Sequence, residues 1–323
     1  TYLPFLVYNL NMHNILLSFG LIILTGVAFR RFKIGGLDAD SLRHAINITV
    51  LNIFLPALCI NIIYTSKIDM EMLLVPATAW ITIISTLLIS FSVYTFLGRK
   101  MHIKPSEKGV LILSAAFGNV SYLGLPVLTG LYGYEAAKYA LFYDLLASTP
   151  LLWLVGAPMA SRYGENKKLK ARESLKTILS LPPIWGIFAG IVLNVTNTPL
   201  PAFVQKALGM FGDLVVPLMI FSIGLALTLP KVKHAYTIIP AVVIKLAMVP
   251  FVSFITAYFL GLKGNALTSC LIEGAMPTMV LSLLIAARFK LDVSMSAFII
   301  VVTTFLSFIT LPVAIYMTKF LIH

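Results

Sequence analysis

Apolar runs long enough to cross a lipid bilayer recur from one end of this chain to the other, separated by short polar segments. A helix needs about 20 consecutive apolar residues to cross the hydrocarbon core of a bilayer. Of the 323 residues, 59% are hydrophobic and 11% are charged, whereas about 25% of the residues of a soluble domain are charged. The sequence therefore predicts an all-α, polytopic membrane protein without a sizeable soluble domain.

The apolar runs divide into ten predicted transmembrane helices. Their ends are marked by basic residues, glycine or proline, as at Arg30-Arg31 and Gly98-Arg99-Lys100. The chain begins at Thr1 without a cleavable signal, so we expect the first helix to be retained, and Met12 is an alternative start. The predicted spans are residues 12–30, 44–65, 70–98, 107–131, 134–161, 176–197, 203–229, 233–262, 265–288 and 292–322.

The formal net charge of +12 follows from the loops between these spans. Lys and Arg are concentrated in every second loop, and loops rich in these residues stay in the cytoplasm. This distribution predicts that both chain termini are extracytoplasmic. No basic segment is interleaved with aromatic residues, so we expect the lipid bilayer, and no nucleic acid, as a partner. The basic loops are residues 30–43, 99–108, 162–176, 231–233 and 288–290.

The two halves of the chain share short motifs. Val75-Pro76-Ala77, which opens the third span, matches Ile239-Pro240-Ala241, which opens the eighth. Asn52-Ile-Phe-Leu-Pro56 in the second span likewise parallels Asp213-Leu-Val-Val-Pro217 in the seventh. Five spans per half is an odd number, so the second half is expected to run inverted relative to the first, as in many secondary transporters. The predicted repeats are residues 1–165 and 166–323.

Two predicted helices, the fourth and the ninth, carry a proline beside polar residues: Asn119-Val-Ser-Tyr-Leu-Gly-Leu-Pro126 and Glu273-Gly-Ala-Met-Pro277. Proline lacks a backbone donor and its ring clashes with the carbonyl four residues earlier, so each helix should break near its middle. Within a membrane, such breaks are tolerated only where they line a cavity. Interrupted helices in corresponding positions of two halves are typical of a transporter binding site.

The polar residues beside the first break are candidates for substrate binding. The Asn119 amide can donate to a carboxylate and accept from a water bound to an ion, although it could instead satisfy the broken backbone. The hydroxyls of Ser121 and Tyr122 are weaker candidates, because such groups commonly bond to a neighbouring carbonyl. The predicted substrate site comprises Asn119, Ser121, Tyr122, Pro126, Met276 and Pro277.

Charged residues inside the spans cost a few kcal/mol each at the bilayer centre, so they are candidates for ion coupling. Glu273 could hold Na⁺ together with Asn119, could take up a proton, or could form a structural ion pair with Lys245. Asp144 could carry a proton or pack between helices. Lys245 could attract an anionic substrate, although an ion pair with Asp144 or Glu273 is the simpler interpretation.

No arrangement typical of an enzyme or an ATP-driven pump is present in the sequence. Serine, histidine and acidic residues are not grouped, and no glycine-rich phosphate loop opens a helix. Cys59 and Cys270 lie in apolar runs without disulfide or metal-ligand spacing, which predicts buried thiols. We therefore expect no catalytic residues and no cofactor beyond a coupling Na⁺ or H⁺.

At these motifs the sequence resembles the auxin efflux carrier family, which includes plant auxin carriers and bacterial malate or malonate permeases. The resemblance rests on Gly118–Pro126, Gly130-Leu-Tyr-Gly133, Asn52–Pro56 and Glu273–Pro277, and it extends over essentially the whole chain. It implies a homodimer in which helices 1, 2, 6 and 7 form a scaffold and helices 3–5 and 8–10 move as an elevator. It also implies that Asn119 contacts the carboxylate of the substrate.

Two departures from the plant members affect the implied function. The loop at 162–175 is short, which favours a prokaryotic type of carrier in the plasma (inner) membrane. Plant carriers tend to have glutamine in place of Glu273, so this residue disfavours auxin and favours a cation-coupled site, as in the related bile-acid sodium symporters. The resemblance implies a carrier of small organic anions such as malate, malonate or auxin-like acids. A Na⁺-dependent symporter of bulky steroid-like anions, a non-transporting metabolite sensor and a channel are the alternatives.

Overall fold

The computed structural model describes residues 2–32, 34–164, 169–228, 230, 232 and 235–322, and side chains within 14–317 except at 34 and 99. Within these residues the regular elements are helices, which confirms the all-α prediction, and two residues form an isolated β-bridge. The α-helices are α1 (Tyr2–Phe32), α2 (Ala39–Thr49), α3 (Leu55–Thr65), α4 (Glu71–Lys100), α5 (Pro105–Ala116), α6 (Leu125–Tyr132), α7 (Ala137–Tyr143), α8 (Thr149–Leu151), α9 (Ala157–Ser161), α10 (Ala171–Leu179), α11 (Pro182–Val195), α12 (Ala202–Ala226), α13 (Ile239–Val243), α14 (Val249–Phe259), α15 (Gly264–Ala275), α16 (Leu281–Arg288) and α17 (Val293–Ile322).

Seven continuous helical segments of the described chain are long and apolar enough to cross a membrane. An eighth is added if α10 and α11, which are bent by 57° relative to each other, form one span. The predicted fourth and ninth spans are each divided into shorter helices and fall below that length. The number ten and the inverted repeat therefore stay predictions. The proposed boundary at 165/166 lies outside the described residues, as do Lys33, Lys167, Lys168, Lys231 and Lys233.

Wide π-helical turns precede prolines at five places in the described chain. A proline that follows a normal α-turn clashes with the carbonyl four residues earlier, and one extra residue in the turn relieves that clash. The helices therefore continue through these prolines instead of ending at them. The turns and their prolines are Val50–Phe54 with Pro56, Val120–Gly124 with Pro126, Asp144–Ser148 with Pro150, Leu152–Gly156 with Pro158, and Ile244–Met248 with Pro250.

The chain forms two compact units. The first contains Thr1–Asp69, Ser121–Leu141 and Leu179–Leu227, and the second contains Met70–Val120, Phe142–Ile178 and Thr228–His323. In the first unit α3 packs against α11, and α1 packs against α12. The α1–α12 contact is made at glycines, since a Cβ added to Gly26 would lie 2.6 Å from the Phe221 carbonyl oxygen. Small residues let these two backbones approach closely, as is common between membrane helices.

In the second unit α15 is packed among α14, α17 and α4. Residues 266–279 at the centre of this arrangement are all buried. Cys270 lies there, while Cys59 lies in α3 of the first unit; both cysteines are buried, as predicted, and they do not form a disulfide with each other. The end of α15 is therefore enclosed by protein on all sides, and it leads directly into the second of the two interrupted regions.

Candidate functional site

The first interruption lies at residues 117–119, where α5 has ended at Ala116 and the π-turn Val120–Gly124 has not yet begun. The sequence predicted a break near the middle of this helix and attributed it to Pro126; the break lies near the middle, but Pro126 does not cause it. Pro126 is the second residue of α6, and the π-turn before it accommodates the proline ring without interrupting the helix. The break therefore lies at Asn119 itself, seven residues before the proline.

The second interruption lies at residues 276–280, between α15 and α16. Pro277 is inside it, as predicted, and Met276 and Pro277 are buried. Pro126 and Pro277 are therefore not equivalent, because the first follows its break and the second is part of it. What the two interruptions share is a preceding helix of twelve residues, α5 or α15.

The two interruptions pair with each other inside the second unit. Gly118 and Thr278 form an antiparallel β-bridge. The backbone N–H of Asn119 donates to the Pro277 carbonyl at 2.7 Å, and that of Met279 donates to the Phe117 carbonyl at 3.0 Å. Backbone groups that no helix satisfies thus satisfy one another, which is the requirement for broken helices at membrane depth.

The side chain of Thr278 braces this crossing further. Its hydroxyl donates to the Ser114 carbonyl of α5 at 2.9 Å, and its N–H donates to the hydroxyl of Thr303 in α17 at 3.1 Å. The Ser114 carbonyl is among the last of α5, which have no partner within the helix. Thr278 therefore ties the crossing to two helices, α5 and α17. The sequence analysis did not identify Thr278, although its position directly after Pro277 is a usable signal.

Asn119 is 2% exposed and lies in the crossing itself. Among the described residues, its hydrogen bond is made by the backbone N–H to Pro277. The carboxamide is therefore not the group that satisfies the broken backbone. The carboxamide lies beside the crossing. Its NH₂ group can donate to a carboxylate, and its oxygen can accept from water or contact a cation.

Glu273 lies in the last turn of α15 and is 1% exposed. Neither of its carboxyl oxygens makes a hydrogen bond with a described residue. Asp144 and Lys245 are the charged groups that act on it electrostatically. A buried carboxyl group without a hydrogen bond is energetically unfavourable, and such groups concentrate at functional sites.

Lys245 lies in the π-turn Ile244–Met248 and is 1% exposed. Its Nζ donates to the Gly274 carbonyl of α15 at 2.8 Å rather than to the Glu273 carboxyl group. A Cβ added to Gly118 would lie 3.2 Å from Lys245 Cε and Nζ, so the ammonium group also lies against the crossing. The carbonyl end of a helix carries partial negative charge, and Lys245 caps that end of α15.

Asp144 begins the π-turn Asp144–Ser148 and is buried. The Thr149 hydroxyl donates to Asp144 Oδ1 at 2.8 Å, so the carboxyl group is hydrogen-bonded. Asp144 and Lys245 both act on Glu273, which brings the three predicted coupling residues into one region of the second unit. No group of three or more His, Cys, Asp or Glu that could hold a metal ion is found in the described part of the chain.

The remaining predicted substrate residues belong to the first unit. Ser121 and Tyr122 lie in the π-turn Val120–Gly124, and Pro126 lies in α6. Asn119, Met276 and Pro277 belong to the second unit. The role of Ser121, Tyr122 and Pro126 in substrate binding stays a prediction.

A model of the family described as "Membrane transport protein" matches residues 16–315. That match spans nearly the whole chain, including both interruptions and the three residues Asp144, Lys245 and Glu273. The chain belongs to this family. Membership confirms the resemblance to the auxin efflux carriers, and together with the apolar helices it makes the chain an integral membrane protein of a transporter family.

Several relatives of this membrane transport protein are named as transporters. The chain is 25% identical over 287 residues to an uncharacterized transporter of Methanothermobacter thermautotrophicus, and this alignment covers 87% of the chain and 90% of the relative. The chain is 27% identical over 291 residues to an uncharacterized transporter of Methanocaldococcus jannaschii, and this alignment covers 86% of the chain and 91% of the relative. Its identity to the uncharacterized transporter YfdV of Escherichia coli strain K12 is 23% over 291 residues, covering 85% and 88%.

Proposed function

We propose that this protein is a secondary active transporter of small organic anions, such as malate, malonate or auxin-like acids. The observation that carries the proposal is the crossing of two interrupted helices beside Glu273, a buried carboxyl group that makes no hydrogen bond with the described residues. An anionic substrate and a coupling cation can supply polar partners to such a site, whereas lipid hydrocarbon cannot.

The substrate carboxylate binds at the crossing in this proposal. The Asn119 carboxamide donates to it, and the backbone N–H groups that begin the helical segments after each interruption add partial positive charge. The amino group of Lys245, which lies against Gly118, adds a basic group nearby. Together these groups favour a carboxylate over a neutral ligand of the same size.

The coupling cation binds at Glu273, with Asp144 as the second acidic group. Two carboxyl groups that act on each other in a buried site favour the uptake of one cation, since neutralising one of them removes their mutual repulsion. Either H⁺ or Na⁺ fits this electrostatic requirement. Movement of the cation down its gradient then drives the anion against its own gradient.

The second unit is the mobile, elevator part of a homodimer in this proposal, and the first unit is the scaffold. Both interruptions, Asn119, Glu273 and Lys245 all belong to the second unit, so a rigid movement of that unit carries the substrate without dismantling the site. The helical segments in predicted spans 1, 2, 6 and 7 fall in the first unit, apart from most of α10, whereas Ser121–Leu141 of predicted spans 4 and 5 also falls there and would stay with the scaffold. The protein would lie in the plasma (inner) membrane of a prokaryote, with both termini extracytoplasmic.

Uptake into proteoliposomes tests the proposal, with radiolabelled malate, malonate and indole-3-acetate as probes, with and without a Na⁺ or pH gradient. Asn119→Ala removes a donor to the carboxylate and is expected to lower uptake and binding about tenfold. Glu273→Gln is expected to abolish stimulation by the cation gradient. Ser92→Ala, at an exposed position of α4, is the control and should behave as the wild type. Full uptake and full ion dependence in both site variants would contradict the residue assignment.

A further inference from the structure

The side chain of Tyr94 enters the backbone of another helix in the second unit. Tyr94 lies near the end of α4 and is 0% exposed. The backbone N–H of Ala241 donates to its hydroxyl at 2.9 Å, and the hydroxyl donates to the Thr237 carbonyl at 3.0 Å. These two residues are four apart, which is the spacing of an α-helical hydrogen bond. The phenol oxygen therefore bridges two groups that would pair directly in a regular α-helix.

The eighth predicted span has an irregular start at this place. Ala235–Ile238 form a 3₁₀ turn, and α13 begins after it at Ile239. Pro240 supplies no N–H, so it adds no hydrogen bond that would regularise the turn. A side chain inserted into the hydrogen-bond ladder is a recognised cause of a bend in a helix. The Tyr94 hydroxyl thus holds this turn open.

The matching motif at the start of α4 is regular. Val75-Pro76-Ala77 corresponds to Ile239-Pro240-Ala241, yet α4 runs through Pro76 as a continuous α-helix. The tyrosine that corresponds to Tyr94 is Tyr258, because each lies just before a Phe-Leu-Gly segment. Tyr258 is 61% exposed, so the matching side chain lies at the surface. The irregular start therefore accompanies the inserted hydroxyl and does not follow from the proline alone.

This turn leads directly to Lys245. Ala241 and Lys245 are four residues apart, so they lie on the same face of one continuous helical segment, and both are buried. Further along that segment, the Ser253 hydroxyl donates to the Cys270 carbonyl of α15 at 2.6 Å. Lys245 is thus placed between two attachments of its helix, one to α4 a turn before it and one to α15 about two turns after it.

The position of the Lys245 amino group is narrowly defined. Its Nζ donates to the Gly274 carbonyl at 2.8 Å, and a Cβ added to Gly118 would lie 3.2 Å from it. A shift of about 1 Å would therefore break this hydrogen bond or press the amino group against the crossing. A change of direction at Ala241 moves the residues that follow it in the helix. The position of the amino group consequently depends on the Tyr94 hydroxyl.

We propose that Tyr94 is a positioning residue of the anion site, whose hydroxyl sets the place at which the Lys245 amino group meets the crossing. This inference rests on the proposed function, in which Lys245 lies beside the substrate carboxylate. Without the hydroxyl, the Ala241 N–H and the Thr237 carbonyl can pair with each other. The turn then becomes regular, and the segment that carries Lys245 shifts. The fold keeps a hydrogen bond at this place, but the anion site loses its geometry.

Nitrogen NMR spectroscopy tests the placement on the full chain in lipid nanodiscs, with isotope-labelled lysine side chains. The signal of the buried Lys245 amino group is assigned by its loss in Lys245→Met. Tyr94→Phe removes only the hydroxyl and is expected to shift this signal, while the midpoint of thermal unfolding changes by no more than a few degrees. Tyr258→Phe removes the matching hydroxyl at the surface and is the control, in which the signal should stay in place. An unmoved signal in Tyr94→Phe overturns the proposal. Failure of that variant to fold also overturns it, because the hydroxyl would then serve the fold as a whole.

Uptake of malate and malonate into proteoliposomes tests the role of Tyr94 in the anion site. Tyr94→Phe is expected to raise KM about tenfold with a smaller change in the turnover rate, since the carboxylate loses a well-placed basic group. In a Lys245→Met background the same substitution should raise KM no further, because Tyr94 acts through Lys245. Tyr258→Phe should transport as the wild type does. Additive effects of the Tyr94 and Lys245 substitutions would overturn the proposal.

The two measurements separate this inference from the proposed function. If Lys245→Met takes up neither probe, the NMR signal in Tyr94→Phe decides. A shifted signal without uptake of either probe by the wild type supports the placement of Lys245 by Tyr94 and contradicts the proposed carrier. Normal uptake with an unmoved signal overturns the role of Tyr94 and leaves the carrier standing. A shifted signal with an unchanged KM overturns the role of Tyr94 in the anion site.

Discussion

The two units of this membrane transport protein differ in what fills their interiors. Among the described residues, every buried Ser, Thr, Asn, Asp, Glu and Lys except Ser121 and Ser222 belongs to the second unit. The first unit is packed instead through aliphatic side chains and glycines, as where Gly26 meets α12. Burying polar groups is unfavourable unless they are paired. Nearly all of the buried polar groups that a ligand could use therefore lie in the second unit.

The largest effect is expected from a glycine of the first unit. A Cβ added to Gly224 would overlap the Ile23 carbonyl oxygen and lie 2.9 Å from Gly26 Cα, and neither backbone atom can move aside easily. Gly224→Ala should therefore destabilise the protein by about 3 kcal/mol or more. Thermal unfolding in detergent measures it. Gly20→Ala in α1, where a Cβ would have no atom within 4 Å, is the control and should not lower the midpoint. Equal midpoints for the two variants would break the comparison.

Glu273→Gln in the second unit should separate function from stability. The substitution keeps the size of the side chain and removes a buried charge that has no hydrogen bond with the described residues. Cation-driven uptake of malate or malonate should fall by about 100-fold, since the coupling cation of the proposed function loses its site. The unfolding midpoint should not fall. A large loss of stability with normal uptake would show that Glu273 serves the fold.

Lys245→Met should lower both the stability of the protein and its uptake activity. Methionine retains the aliphatic stem, but the Gly274 carbonyl loses the donor 2.8 Å away, and Glu273 loses its nearby positive charge. A buried acceptor left without a partner costs about 1–3 kcal/mol. Thermal unfolding and uptake are measured on the same preparation. If neither changes, Lys245 is not the cap that the crossing requires.

Asn194→Leu is the counterpart in the first unit and should have the smallest effect. Asn194 Nδ2 donates to the carbonyls of Ile63, Tyr64 and Ser66, so a neutral amide caps the end of α3 as Lys245 caps α15. Because these carbonyls are only partly buried, water can replace some of the bonds, and the expected loss is about 1 kcal/mol. Uptake per folded molecule should stay at the wild-type level. Impaired uptake here would show that the first unit also takes part in binding.

The site could be predicted from the sequence only in part. Asn119 and Glu273 were recognisable as polar residues beside prolines in apolar helices, and the structure has both in the second unit. The first break was expected near the middle of its helix, but its cause was misassigned, because the π-turn Val120–Gly124 relieves the clash at Pro126.

The sequence by itself determined that this chain is helical and crosses a membrane, because long apolar runs have few other stable arrangements in a bilayer. The two motifs with their polar residues were also sufficient for the family. Only the tertiary structure decided where the helices break and which groups meet there. The bridge from Gly118 to Thr278 and the bond from Lys245 to Gly274 join residues far apart in the chain. Such contacts depend on the packing of several helices, and no local pattern of residues encodes them.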